Sequence, residues 1–250
     1  MPELLTLAVA ALGVFLIAFM RGAFGGGFAI IGIPLLSLVM DPISAGTLLA
    51  PLFIAMDVFA LRYWSPSTWS KPDVVRVVPA ALVGIGAGFL LMRAIDAHLT
   101  AITIALVTLA FAGQWLIGGG IPQVQPRSTA KALAWGTIGG ITTMVAHAGG
   151  PPIAMYLLPL GLPKAVYAGT TSIVFTAINL GKAGPWLVLG QPDRTLWILM
   201  ALCVPVVPVG IHAGWLVHER LSHRQMYRAC YGLLVVTACK LLWDGVRGYW

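Results

Sequence analysis

Most residues of this chain that could bind a ligand lie beside two glycine runs or along one apolar segment. A glycine run interrupts a helix, and the next helix then begins with free backbone N–H groups and a partial positive charge, which favour an anion. A nearby guanidinium or ammonium group would balance the charge of that anion, whose unpaired burial is very costly. The sequence therefore predicts an anion-binding site with these candidate residues: Arg21, Gly25, Gly26, Gly27, His147, Gly149, Gly150, Thr170, Thr171, Asn179 and Lys182.

Several of these residues also have a purely structural interpretation. Arg21 precedes the first glycine run by four residues and would either contact the anion or extend to the membrane interface. Asn179 and Lys182 are three positions apart, so they share a helix face and predict a polar stripe that faces a cavity. The alternative is an interhelical hydrogen bond and a lysine near a helix end. The hydroxyls of Thr170 and Thr171 would contact the ligand or bond back to their own helix.

Two residues are candidates for proton coupling. Asp57 lies inside an apolar segment, and His147 immediately precedes the second glycine pair. Each could change its protonation state if its surroundings moved its pKa toward 7. For His147 the alternative is a neutral packing residue.

Other chemistries lack their sequence patterns. Lys182 follows Gly181 but is not part of a GxxxxGK[ST] loop, so no ATP hydrolysis is implied. There is no HExxH, no GxSxG and no cysteine–histidine metal spacing. We therefore expect no metal and no cofactor.

The elements that position the candidate residues must be membrane helices. Apolar residues make up 59% of the 250 positions and charged residues only 9%, against about 25% in a soluble domain. That is too little charge to cover a water-facing surface. The net charge of +7 then indicates cationic loops that orient the chain rather than a nucleic-acid partner. The composition predicts a multi-pass protein of the cell (inner) membrane, with the lipid bilayer as its surroundings.

Ten apolar segments follow one another, with the polar linker Gly118–Lys131 between the fifth and the sixth. Because the backbone must satisfy its own hydrogen bonds in lipid, these segments predict helices. Their bounds are Leu4–Met20, Gly25–Met40, Ile43–Leu61, Val74–Met92, Leu99–Ile117, Ala132–Ala146, Gly149–Leu160, Val166–Leu189, Thr195–Val217 and Met226–Trp243.

The two halves of the chain repeat each other. The triplet Ala45-Gly46-Thr47 recurs 123 positions later, as does the Gly26-Gly27 pair. Val78–Leu90 and Val204–Leu216 are identical at eight of 13 positions. We predict an N-terminal repeat over residues 1–120, a cytoplasmic linker over 121–131 and a C-terminal repeat over 132–250.

The orientation of the repeats depends on whether each glycine-broken region crosses the membrane once or returns as a hairpin. Single crossings give parallel halves and divide the loop cations eight to five between the two sides. Hairpins give inverted halves and divide them nine to four. The positive-inside rule favours the stronger bias. The predicted fold is therefore all-α, with two inverted repeats that each contain a glycine-broken helical hairpin and three transmembrane helices.

A GxxxG spacing occurs at the same place in both halves. Gly84 and Gly88 form the first copy, and Gly210 and Gly214 form the second. This spacing lets helices approach closely. We expect the two copies to pack centrally or to form the face of a homodimer.

The sequence resembles the TauE/SafE family of sulfite and organosulfonate exporters over nearly its whole length. The resemblance rests on Gly25-Gly26-Gly27 with Pro34, on His147-Ala148-Gly149-Gly150-Pro151-Pro152 continuing to Tyr156-Leu157-Leu158-Pro159, and on Ala168-Gly169-Thr170 through Asn179 and Lys182. It implies that the anion is a sulfur oxyanion or an organosulfonate, of the sulfite or sulfoacetate type.

Broken helices at matching places in inverted repeats are typical of secondary transporters. We therefore expect a protein that exports a small anion by alternating access without ATP, and not an enzyme. Export could be coupled to protons or driven by the membrane potential alone. The alternatives are a passive anion channel, a membrane interaction subunit, and an intramembrane enzyme that uses His147 with a carboxylate such as Asp57.

Overall fold

The computed structural model describes residues 3–26, 35–36, 38–91, 97–117, 124–146 and 148–248, and the regular elements in these residues are all helices. Single turns of 3-10 helix occur at Pro66–Thr68 and Leu158–Leu160. The α-helices are α1 (Leu4–Phe24), α2 (Pro42–Ala60), α3 (Lys71–Leu91), α4 (Ala97–Ile117), α5 (Thr129–Ala146), α6 (Gly150–Leu157), α7 (Lys164–Gly190), α8 (Arg194–Cys203), α9 (Val206–Arg220) and α10 (His223–Arg247).

Five helical stretches among the described residues are long and apolar enough to cross a membrane. Four are α1, α3, α7 and α10, and the fifth is the continuous stretch Arg194–Arg220 that contains α8 and α9. Many large apolar side chains point outward, such as Leu90 and Ile117, which are 81% and 90% exposed. In a bilayer these side chains would face lipid. The prediction of an all-helical, multi-pass membrane protein is confirmed.

The first helix of each half packs against the GxxxG helix of the other half. Helix α1 lies along α9, and α5 lies along α3. A Cβ at Gly214 would overlap the carbonyl oxygen of Phe19, and a Cβ at Gly84 would overlap that of Thr137. The glycines therefore allow these backbones to touch. Both glycine faces are covered by helices of the same chain; a single chain does not test the homodimer considered above.

The contacts between helices also fix their relative directions. Helix α1 runs parallel to α9, since Gly210 lies beside Ala18 and Gly214 beside Ala23. Helix α3 runs parallel to α5, because Gly84 approaches Gly140 and Gly88 approaches Met144.

Matching helices of the two halves run antiparallel to each other. In the α2–α7 pair, Asp57 lies beside Asn179, while Thr47, ten residues earlier on α2, lies beside Gly190 near the end of α7. In the α4–α10 pair, Phe111 stacks on Tyr231 and Ile102 lies beside Gly245.

Helix α6 turns back along α5. The Ala148 N–H donates to the carbonyl of Thr142 at 3.0 Å, next to the turn, and the Gln125 N–H, just before α5, donates to that of Pro159 at 2.8 Å. The chain therefore enters along α5 and returns through α6 to the end of the bundle from which it came. This return is the hairpin form of the second glycine-broken region. Residues 27–34 and 37 of the first region lie outside the described residues.

One end of the bundle collects most of the basic side chains. This end is held together by hydrogen bonds from Lys164 Nζ to the carbonyls of His218 and Leu221, at 2.8 and 2.9 Å, and by an ion pair between Arg127 and Asp73. Arg194, Lys240 and Arg247 lie toward the opposite end. The basic residues of the first end are Arg62, Lys71, Arg76, Arg127, Lys131, Lys164, Arg220, Arg224 and Arg228.

Candidate anion-binding site

Helix α1 ends at Phe24, three residues after Arg21, and the first glycine break follows directly. Gly25 has the left-handed φ of 77°, and its N–H closes the helix on the carbonyl of Arg21 at 2.9 Å. A Cβ at Gly25 would also overlap the carbonyl oxygen of Ala168 on α7, so the position requires glycine. Gly26, with φ 121°, faces Arg21 Nη1 and the ring of Phe175, which lie 3.0 and 3.4 Å from an ideal Cβ. Gly27 lies outside the described residues.

The second glycine break is a tight turn between α5 and α6. The backbone N–H of Ala148 donates to the carbonyl of Thr142 at 3.0 Å, which holds the chain as it turns. A Cβ at Gly149 would approach the Cβ of Thr143 at 2.7 Å. Helix α6 then begins at Gly150 with prolines in its first turn, where a missing N–H costs no hydrogen bond. His147 lies outside the described residues.

A buried ion pair lies between α1, α2 and α7. Arg21 Nη2 pairs with Asp57 Oδ1, and Asn179 Nδ2 donates to Asp57 Oδ2 at 3.1 Å. Arg21 also donates to the hydroxyl of Thr176 at 3.5 Å. The residues of the pair and Asn179 are no more than 3% exposed. Arg21 Nε is buried and has no hydrogen-bond partner among the described residues, so one donor of this guanidinium remains available.

Lys182 lies one turn beyond Asn179 on α7 and is 5% exposed. Its Nζ donates to the hydroxyl of Thr143 at 3.4 Å and sits 4.7 Å from the centre of the Phe53 ring. Both partners are neutral. Within the described part of the chain, no carboxylate lies within 4.0 Å of this nitrogen. Lys182 is therefore a buried cation that lacks a counter-ion at contact distance there.

Together these side chains form one central polar cluster, which connects the two breaks. We define it as Arg21, Asp57, Thr143, Thr176, Asn179 and Lys182. Its first side lies against Gly26 through Arg21, and its second side lies against Gly149 through Thr143. The sequence predicts Arg21, Asn179 and Lys182 as ligand contacts and Asp57 as a proton-coupling residue, and the structure brings these four side chains together.

Sequence reasoning missed Thr143, Phe53 and Thr176. A signal for Phe53 exists in a second repeat match, because Phe53-x-Ala55-x-Asp57 recurs as Phe175-x-Ala177-x-Asn179, at an offset of 122 positions and so one position out of step with the 123-position match. Arg21 and Thr143 are separated by the same 122 positions. Each half therefore contributes matching positions to the cluster, with different charges on them.

Thr170 and Thr171 lie away from the cluster. The Thr170 hydroxyl accepts from the backbone N–H of Ser70 at 2.8 Å, and the Thr171 hydroxyl donates to the carbonyl of Tyr167 at 2.8 Å. Thr170 precedes Asn179 by nine residues on α7, or roughly 13 Å along the helix axis. Both hydroxyls are used within the fold, and their role in ligand binding stays a prediction.

A second polar network lies at the basic end of the bundle. Asp73 is fully buried and accepts from Tyr156 Oη at 2.7 Å, from Arg127 Nε at 3.2 Å, and from the hydroxyl of Ser70. The network ties α3 to the linker before α5 and to the returning helix α6.

The charges and hydrogen-bond donors of the cluster suit the binding of an anion. The residues of the cluster are a guanidinium, an ammonium, a carboxylate that is already paired, an amide and two hydroxyls. Among the described residues, no three His, Cys, Asp or Glu side chains are grouped so that they could hold a metal ion. Cations with free N–H donors near two helix breaks favour an anion.

Comparison with known proteins places the chain in a family. No curated protein and no solved structure matches it significantly. A family description does match: the profile of the Sulfite exporter TauE/SafE family covers residues 10–241 of the 250, which includes both glycine breaks and the whole central cluster. The chain therefore belongs to the TauE/SafE family of sulfite exporters, a family of membrane transporters, as the resemblance of its glycine and proline motifs predicted.

Proposed function

We propose that this protein is a secondary transporter of the inner membrane that exports a small sulfur oxyanion or organosulfonate by alternating access. The central polar cluster carries the proposal. It places two buried cations between the breaks of both halves, at a depth where neither water nor lipid supplies a counter-charge. Membership of the TauE/SafE family supports a sulfur anion as the ligand.

The two halves are inverted repeats in this proposal. Support comes from the helix directions, since α2 runs antiparallel to its repeat equivalent α7, and α4 runs antiparallel to α10. Parallel repeats would give matching helices the same direction. The returning helix α6 supports the same arrangement, because a hairpin gives each half an odd net number of crossings.

In the proposed cycle, the anion binds Lys182 Nζ as its charge partner. The free Nε–H of Arg21 and the amide of Asn179 add hydrogen bonds, and the N–H of Gly150 adds one backbone donor at the start of α6, where Pro151 and Pro152 have none. The Asp73–Tyr156–Arg127 network closes the basic end of the bundle, which is the cytoplasmic end under the positive-inside rule. This network must open before a cytoplasmic anion can reach the cluster.

Flux into proteoliposomes tests the function. Purified protein would be reconstituted and tested with a panel of sulfite, sulfate, thiosulfate, sulfoacetate and taurine. We expect saturable flux of at least one sulfur anion without ATP. Lys182→Met should abolish this flux, because it removes the charge partner, while leaving the protein folded. Lys240→Met is the matched control, because Lys240 is half-buried and pairs with Asp244 on its own helix.

The same assay separates the alternatives. Flux that never saturates and passes many unrelated anions would favour a passive channel. Chemical conversion of the added compound would favour an intramembrane enzyme. Normal flux in Lys182→Met would contradict the site, and no flux of any panel anion would contradict the function.

Coupling to protons requires a group that changes its protonation state, and Asp57 is the candidate among the described residues. Flux would be measured at a fixed substrate gradient, first with an imposed pH gradient and then with an imposed potential. A response to the pH gradient that disappears in Asp57→Asn would support coupling through the Arg21–Asp57 pair. A response to potential alone would remove this role from Asp57.

A further inference from the structure

We infer that the central cluster is built for an anion with a single negative charge and discriminates against dianions. This inference rests on the proposed function and specifies its substrate. It follows from the charges within the cluster and from the partners that each charge has.

The cluster holds two cations and one carboxylate among the described residues. Arg21 and Asp57 pair directly, so their charges cancel. Among the described residues, the partners of the Lys182 ammonium group are the hydroxyl of Thr143 and the ring of Phe53. One positive charge is therefore left over. Outside the described ranges the sequence contains only two further charged side chains, Arg93 and Asp96.

Burial makes this charge count decisive. At 2% to 5% exposure, the three ionisable side chains are screened by little water, and an uncompensated charge at such a depth is costly. A bound monoanion would neutralise Lys182 and leave a cluster without net charge. A dianion of similar size would leave one unbalanced negative charge. The second charge of the dianion could be paired only if Arg21 left Asp57, and the carboxylate of Asp57 would then lack a counter-ion.

A comparison between the two halves shows which position sets the net charge of the central cluster. Asp57 and Asn179 occupy the same position of the Phe-x-Ala pattern, one residue out of step with the 123-position match, and their side chains touch at 3.1 Å across the two repeats. The two side chains are nearly the same size and differ in one charge. With asparagine at both positions the cluster would carry two positive charges, and with aspartate at both it would carry none. The Asp57/Asn179 pair therefore selects a single charge.

Two matched pairs of competitors test the inference in reconstituted wild-type protein. Methanesulfonate and sulfate are close in size and carry one and two negative charges, and isethionate and sulfoacetate form a second such pair. Each would compete against flux of the panel anion that the protein transports. We expect each monoanion to compete at least about tenfold more strongly than its dianionic partner, a factor that corresponds to 1.4 kcal/mol.

Isosteric variants then move the cluster through a series of charges. Asp57→Asn, with two positive charges, should shift the preference toward sulfate and sulfoacetate by about tenfold or more. Asn179→Asp, with no net charge, should weaken competition by all four anions. The double exchange Asp57→Asn/Asn179→Asp restores one positive charge and should restore the preference for monoanions. Size-exclusion profiles in detergent identify any variant that fails to fold.

The outcomes separate this inference from the proposed function. If the wild-type protein transports a sulfur anion but its dianions compete as well as its monoanions, the charge inference is wrong and the function stands. Competition by none of the four compounds overturns the inference as well. An unchanged preference in folded Asp57→Asn would also overturn it. The competition between monoanions and dianions in the wild-type protein tests the inference even if the single variants do not fold.

Discussion

At the scale of single residues, the two buried cations differ in what neutralises them. Arg21 has a carboxylate partner, and Lys182 has a hydroxyl and an aromatic ring. Removing a partner should therefore destabilise the fold at Arg21, whereas removing the charge of Lys182 should remove binding and leave the fold intact. We therefore expect the charge of Arg21 to affect mainly stability and the charge of Lys182 to affect mainly binding.

The first prediction concerns the ion pair. Asp57→Ala leaves the Arg21 guanidinium buried without its counter-ion, which should lower the free energy of unfolding by about 3–5 kcal/mol. The apolar double variant Arg21→Met/Asp57→Leu should recover most of this loss, because no unpaired charge remains. Thermal unfolding in detergent measures both effects. Equal losses in the single and double variants would mean that packing, and not charge pairing, accounts for the cost.

The sequence could predict that these polar residues lie inside the membrane helices but not how they pair. Arg21, Asp57 and Asn179 were each identified from their positions in apolar segments. The contact between Arg21 and Asp57 joins helices α1 and α2, and Asn179 approaches them from α7, more than 120 positions further along the chain. Such pairings depend on the packing of three helices, which hydrophobic periodicity does not contain. Thr143 and Phe53 were missed because a threonine and a phenylalanine in a membrane helix are unremarkable one at a time.

At the scale of helices, the GxxxG spacing predicted close packing but not its partner. The structure pairs each glycine face with the first helix of the other half, α5 for Gly84 and α1 for Gly214. The two larger apolar cores among the described residues accordingly mix both halves: one contains Phe24 together with Ile153, and the other contains Leu52 together with Leu199. The two halves therefore share these cores.

The second prediction uses two glycines on α3. A Cβ at Gly84 would lie against the backbone of α5, whereas a Cβ at Gly86 would meet no atom within 4 Å. Gly84→Leu should therefore force α3 and α5 apart and lower stability by about 3 kcal/mol or more. Gly86→Leu, two positions away on the same helix, should be tolerated and could gain helix propensity. The yield of monodisperse protein and the unfolding midpoint measure the difference. Equal behaviour of the two variants would contradict the packing of α3 on α5.

At the scale of the whole molecule, the helix directions and the clustering of basic side chains at one end of the bundle both support inverted repeats. The loops at 62–71, 124–131, 161–164 and 221–224 meet at one end, and they carry or adjoin the nine cations of that end. The sequence predicted this division from charge alone, and it depends on the broken regions returning as hairpins. The return of α6 along α5 is a feature that apolar length could not decide, since 29 residues from 132 to 160 fit either one long interrupted crossing or two short passages.

The last prediction distinguishes the two orientations with a pair of threonines. Inverted repeats place Thr129, at the start of α5, and Thr195, at the start of α8, on opposite sides of the membrane. Parallel repeats with single crossings place both on the same side. Both side chains are exposed, so Thr129→Cys and Thr195→Cys can be labelled in a background in which Cys203, Cys230 and Cys239 are replaced by serine. A membrane-impermeant maleimide should label Thr195→Cys in intact cells and Thr129→Cys only after the membrane is opened, because the positive-inside rule predicts that the basic end faces the cytoplasm. Labelling of both variants in intact cells would require parallel halves, and the charge bias would then lose its meaning as an orientation signal.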